Sequence, residues 1–96
     1  MPGAVRLGDS SRGHSDYPPR PNISASTDVF VNNKGVHRKG DKWAVHCNHH
    51  PRCHVGEASS SSSTVFVNNK GFCRIGDDIS CGDKMAQGST NVFVGD

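Results

Sequence analysis

The phrase STDVFVNNKGVHRKGD at residues 26–41 returns as STVFVNNKGFCRIGD at residues 63–77 and, cut short, as STNVFVGD at residues 89–96. The half missing from the third copy stands at the other end of the chain, where Ala4-Val5-Arg6-Leu7-Gly8-Asp9 matches VHRKGD (36–41) and FCRIGD (72–77). The terminal fragments are complementary halves, so the repeat is circularly permuted, and the two ends are expected to meet and complete a third unit. A linear tandem of hairpins with a worn last copy is the alternative.

Each full unit reads as a β-hairpin: a β-branched and aromatic strand (Val29-Phe30-Val31; Val65-Phe66-Val67), the turn Asn-Asn-Lys-Gly, then a second short strand ending in Arg-x-Gly-Asp. Gly35 and Gly71 are expected to supply the positive φ of the turn, with Asn32-Asn33 and Asn68-Asn69 the next most tolerant residues. Pairing of Val92-Phe93-Val94 with Val5-Arg6-Leu7 would close a pseudo-threefold object and cover strand edges that otherwise invite aggregation. Eleven Gly, five Pro and many Ser and Asn oppose helix, and no window places apolar residues at helical spacing, so the fold class is all-β. With 96 residues, 32% of them apolar, the chain is expected to form a single domain over residues 1–96 with one small core. The linkers 10–25, 42–62 and 78–88 are polar and non-helical, and the Ser59–Ser63 run is read as an ordered approach to its strand.

A core of this size needs help from a metal, disulfides or a partner. Six His and four Cys point first to metal, and on the repeat frame they fall into order. Asp9 is followed five residues later by His14, Asp41 five later by His46, and Asp77 four later by Cys81. Threefold symmetry would bring these three ligands to one axis, and a fourth would complete a tetrahedral zinc site. The middle loop offers Cys47, His49, His50, Cys53 and His54. The spacing from His54 to the next strand resembles that from His14 or Cys81, which favours His54, with Cys47, His49 and His50 still open. Zinc suits a closed imidazole and thiolate set whose binding energy adds directly to folding, with iron second. Cys47 and Cys53 read equally as a disulfide-closed loop or a second metal site, and Cys73 and His37 as packing or surface residues.

Arg6, Arg38 and Arg74 stand three residues before Asp9, Asp41 and Asp77, so either they pair and stiffen the ligand-bearing loops or each Asp caps its own turn. Trp43 and Tyr17 are expected to cover the core. Phe30, Phe66 and Phe93 are assigned to the core, an apolar ring on a broad face being the alternative. Pro18, Pro19 and Pro21 stiffen the first linker.

The repeated Ser-Thr-x-Val-Phe-Val-Asn-Asn-Lys-Gly, the thrice-used Arg-x-Gly-Asp and the His or Cys beyond it resemble the PAAR-repeat proteins that tip phage-tail and type VI secretion spikes. The resemblance covers essentially the whole chain. It implies a small cone of short strands and loops with one zinc near the apex, held by residues matching His14, His46, His54 and Cys81. It also implies a base that caps a trimeric β-helical spike, with one chain on the trimer axis, and an assembly that punctures a target membrane. The name-giving Pro-Ala-Ala-Arg stands here as Gly-Val-His-Arg (35–38) and Gly-Phe-Cys-Arg (71–74), with Ala-Val-Arg at residues 4–6.

The functional expectation is a non-enzymatic structural tip, in a virion or moved from the bacterial cytoplasm by a type VI system. No apolar stretch suggests a signal peptide or a membrane span. The chain's end at Asp96 leads us to expect any effector cargo to be noncovalent. The alternative is another zinc-dependent binding module, for nucleic acid or as a protein adaptor. A net charge of +2 and the absence of a basic stripe argue against nucleic acid. A metallohydrolase would need an open coordination position and a base, and Glu57 is the one Glu in the chain.

Overall fold

The computed structural model describes residues 1–95. It is built from three two-stranded antiparallel hairpins and a mesh of single bridges, with no helix among the described residues. The strands are β1 (Phe30–Val31), β2 (Lys34–Gly35), β3 (His46–Cys47), β4 (Cys53–His54), β5 (Phe66–Val67) and β6 (Lys70–Gly71).

The β1–β2 and β5–β6 hairpins are the two full repeats. Asn32 and Asn33 (φ 54° and 65°) and Asn68 and Asn69 (φ 53° and 66°) form their two-residue turns, the double positive φ of a type I′ turn that matches strand twist. The expectation of positive φ at Gly35 and Gly71 is therefore corrected. Those glycines serve a different need, because a Cβ on Gly35 would lie 2.4 Å from the Ser26 carbonyl oxygen and one on Gly71 would lie 1.8 Å from Ser61 Oγ. Gly3 repeats the feature, with its Cβ position 2.3 Å from the Ser89 carbonyl oxygen. The approaching chain crosses each second strand so closely that only hydrogen fits.

Gly3 also marks the third unit. It bridges Phe93 as Gly35 pairs with Phe30 and Gly71 with Phe66. Ala4 N–H donates to the Val92 carbonyl at 2.9 Å, as Val36 does to Val29 and Phe72 to Val65 at 3.0 Å each. The two termini thus form one hairpin, but Val92-Phe93-Val94 pairs with Pro2-Gly3-Ala4, three residues earlier than the expected Val5-Arg6-Leu7. Asp96, the last residue of the expected unit 89–96, lies outside the described residues. Each unit opens on a serine whose Oγ accepts from two following backbone N–H groups: Ser26 from Asp28 and Val29, Ser62 from Thr64 and Val65, Ser89 from Asn91 and Val92. The second unit therefore begins structurally at Ser62, one residue before the apparent Ser-Thr match.

A ring of three backbone hydrogen bonds defines the pseudo-threefold centre. Val5 donates to Cys73, Cys73 to His37 and His37 to Val5, at 3.1, 3.1 and 3.0 Å. All three residues are fully buried, so His37 and Cys73 are packing residues. Around this ring lie two apolar clusters. One gathers Ala4, Val36 and Phe72 with Val31, Val67, Val92 and Val94 between the hairpins, and the other gathers Val5, Trp43, Ala58, Cys73, Ile79 and Met85 among the loops.

Phe30, Phe66 and Phe93 are not in the core: they are 59%, 60% and 52% exposed. Adjacent strand residues face opposite sides, and it is Val31, Val67 and Val94 that turn inward. The smaller β-branched residue fits the tight space between hairpins, and the ring is left outside.

Candidate metal centre

The second strand of each unit ends in a braced turn. In the first, the Arg6 backbone N–H and Nε donate to Asp9 Oδ2 at 2.8 and 2.9 Å, Nη2 donates to Oδ1 at 3.0 Å, and the Asp9 N–H returns to the Arg6 carbonyl at 3.0 Å. Arg38–Asp41 and Arg74–Asp77 repeat every bond. Gly8, Gly40 and Gly76 take the positive φ (87°, 94° and 94°) that a type II turn requires at its third position. The carboxylates are 1%, 5% and 7% exposed, so the bidentate pairs fix the direction in which each following loop leaves. Burial works against the Asp41 carboxylate, but the hydrogen bonds from Arg38 outweigh it and hold Asp41 below the ordinary carboxylate range.

Those loops deliver His14, His46 and Cys81 to one place, where His54 joins them, and the four ligand atoms lie within 4.8 Å of one another. His14 is set by a tight turn in which it exchanges both backbone hydrogen bonds with Tyr17. His46 and His54 face each other across the β3–β4 pair. Cys81 packs against the loop core. The Nε2 atoms of His14 and His46 are 3.3 Å apart, those of His14 and His54 3.2 Å, and those of His46 and His54 2.5 Å, with Cys81 Sγ 3.8 Å from His46 Nε2.

This donor set fits a cation. Zinc bond lengths in tetrahedral array imply edges of about 3.4 Å between nitrogens and about 3.6 Å from nitrogen to sulfur. Three of the four distances lie within a few tenths of an ångström of those values, and the His46–His54 edge needs to open by less than 1 Å. Nε2 lone pairs facing one another this closely repel unless a proton or a metal lies between them. His46 Nδ1 sits 2.9 Å from the Pro18 carbonyl, which can only accept, so Nδ1 carries the proton and Nε2 presents its lone pair to the cluster. Burial, then the neighbouring His46 and His14, push the His54 imidazole below its usual pKa, which favours the neutral form that binds metal.

The expectation that Tyr17 covers the core is corrected: it belongs to neither apolar cluster. Its ring stacks on His54 at 4.1 Å and on His14 at 4.8 Å and tilts against His46 at 4.8 Å, closing one side of the cluster. Trp43 is 3% exposed and does lie in the core. Of the other middle-loop candidates, Cys47 and Cys53 form a disulfide across the β3–β4 pair, and His49 and His50 are exposed. The β3–β4 hairpin and the Tyr17 lid were not legible in the repeats, because both belong to loops that the three units do not share.

No curated protein matches the chain. A family model described as PAAR motif matches residues 12–87, most of the chain, and that span contains all four clustered side chains. The chain therefore belongs to the PAAR-motif family, a structural motif of the spike tips of phage tails and type VI secretion systems.

Proposed function

We propose that this protein is a zinc-stiffened spike tip, acting as one PAAR unit over residues 1–96 and seated on the axis of a trimeric β-helical spike. The observation that carries the docking is the exposure of Phe30, Phe66 and Phe93 at one equivalent position in each of the three repeat units. Val29 and Val65 beside them are 37% and 38% exposed, so each full repeat offers an apolar patch in the same setting. A monomer with three related patches is suited to a partner that repeats one surface three times. The hairpins brace one another around that circle: Asn68 Nδ2 donates to Asp28 Oδ1 and Asn32 Nδ2 to Asn91 Oδ1, each at 3.0 Å.

On this reading His14, His46, His54 and Cys81 hold zinc in a closed site, and the chain has no catalytic role. Four protein donors leave no open position for a reactive water. The metal ties the three long loops together, since His14, His46 with His54, and Cys81 each come from a different one. The assembly then meets a target membrane transiently, and the loops offer a surface on which a noncovalent effector can ride.

The test mixes the zinc-loaded chain with a trimeric β-helical spike protein and measures stoichiometry by native mass spectrometry. One chain per trimer is expected, and a Phe30→Ser, Phe66→Ser, Phe93→Ser triple variant should lose binding while keeping its melting temperature. Equal binding by the triple variant would overturn the docking assignment.

A further inference from the structure

The β3–β4 hairpin that carries two of the four candidate ligands has only two residue pairs, His46 with His54 and Cys47 with Cys53. Neighbouring strand residues face opposite sides, so the histidines turn toward the cluster and the cysteines away from it. A hairpin of this length is not stable by itself. Val45 and Val55, which flank it, are 49% and 65% exposed and give it little apolar anchorage. At its tip the Asn48 N–H donates to the Arg52 carbonyl at 2.9 Å, and Asn48 Oδ1 accepts from the backbone N–H groups of His50 and Arg52 at 3.1 and 2.7 Å.

The two histidines are not held alike. His46 is 5% exposed and fixed through Nδ1 to the Pro18 carbonyl. Among the described residues, the hydrogen bonds of the His54 ring run only to His14 and His46, members of the cluster itself. Its placement otherwise rests on the Tyr17 stack and on β4 staying against β3. The covalent tie that keeps β4 there is the Cys47–Cys53 bond. Both of these cysteines are exposed, whereas Cys73 is fully buried and Cys81 belongs to the cluster.

We propose that Cys47 and Cys53 are a reversible redox lock on the metal centre, a thiol–disulfide modification site that sets how firmly His54 is held against zinc. The inference rests on the zinc reading above and adds a regulated state to it. The lock closes by exchange with a small-molecule disulfide such as oxidised glutathione. One protein thiolate attacks and releases one glutathione, and the second displaces the other. The two protein thiols lose two electrons and form one S–S bond, and the small disulfide gains them and leaves as two thiols carrying the two protons. A reducing compartment leaves the lock open, and an oxidising one closes it. The bond closes a loop of sequence separation 6, for which chain entropy sets a ceiling of roughly fortyfold on the constant for ordering the hairpin.

The test uses the full zinc-loaded chain in three forms: treated with oxidised glutathione, treated with a phosphine reductant, and as the Cys47→Ser, Cys53→Ser double variant. Zinc transfer to a chromogenic chelator is timed in each, zinc per chain is counted at the start, and amide exchange of residues 46–54 is followed. The oxidised form should release zinc about three- to fortyfold more slowly than the reduced form and protect these amides more strongly, and the double variant should match the reduced form under both treatments. Release rates within twofold in the oxidised and reduced wild-type chain, with zinc bound in both, would overturn the lock and leave the zinc reading standing. Absence of zinc from both forms would overturn the zinc reading and the lock together. The reduced wild-type chain makes the comparison independent of whether the double variant folds.

Discussion

Replacing Asp41 by Asn removes one charge and almost no volume, and so isolates what the braced turn contributes. Asp41 Oδ2 accepts from the Arg38 backbone N–H and Nε, and Oδ1 from Arg38 Nη2, all at 2.9 Å, with Ser24 Oγ on Oδ1 at 3.2 Å. An amide keeps one acceptor oxygen and turns an NH2 group toward donors it cannot satisfy. Breaking a buried pair by removing one partner costs about 3–5 kcal/mol. The Arg38 side chain is 14% exposed and keeps some water, so the expected loss is about 2–4 kcal/mol. For a domain of this size that corresponds to a fall in Tm of about 10–25 °C. The assay is calorimetry of the zinc-loaded chain at neutral pH, repeated toward acid. Because the folded chain holds the Asp41 carboxyl below its unfolded value, the unfolded state takes up the proton first as pH falls. The stabilisation is therefore whole above the ordinary carboxylate range, near pH 4, and is lost as pH drops through the folded value. The two melting curves should converge there. A Tm loss under about 4 °C at neutral pH, or a gap that persists in strong acid, would refute the reasoning.

Gly71→Ala should cost several degrees of Tm or prevent folding, because its Cβ would sit 1.8 Å from Ser61 Oγ and 3.0 Å from the Ser62 carbonyl oxygen, whereas Asn69→Gly, at φ 66°, should change Tm by no more than about 3 °C; thermal melts of both check this. His37 is fully buried and its imidazole is pushed below the usual value by that burial, so the unfolded state protonates first and His37 costs stability progressively as pH falls below about 6.5. His37→Val, the residue found at equivalent Val5, should flatten the fall in Tm between about pH 6.5 and 5 relative to wild type, and an unchanged slope would contradict it.

The circular permutation, the meeting of the two termini and the placing of His14, His46 and Cys81 after each Gly-Asp were readable from spacing, because repeated units force repeated geometry, whereas spacing left the middle-loop member of the cluster open and put the terminal strands in the wrong register. The Arg-Asp braces were legible as an offset but not as a bond, since a solvated Arg and a self-capping Asp have the same spacing. Phe30, Phe66 and Phe93 were misplaced because strands this short have little else to bury, while the two-residue period of a strand and the narrow gap around Val31, Val67 and Val94 decided the opposite. Gly35 and Gly71 were given the wrong reason for a similar cause: a turn can be read locally, but the crossing of Ser26 or Ser62 over the strand is a contact distant in sequence. Tyr17 and the β3–β4 hairpin lie in loops unique to one unit, where the repeat frame carries no information.

The central claim is that three loops converge to be tied by one metal. Its most direct measurement is the metal content of protein purified without added metal, by elemental analysis and native mass, for the wild-type chain and for His14→Ala, His46→Ala, His54→Ala and Cys81→Ala. The account predicts one zinc per wild-type chain, with zinc and thermal stability lost or weakened together in every variant. A wild-type chain that is folded and carries no metal would contradict it.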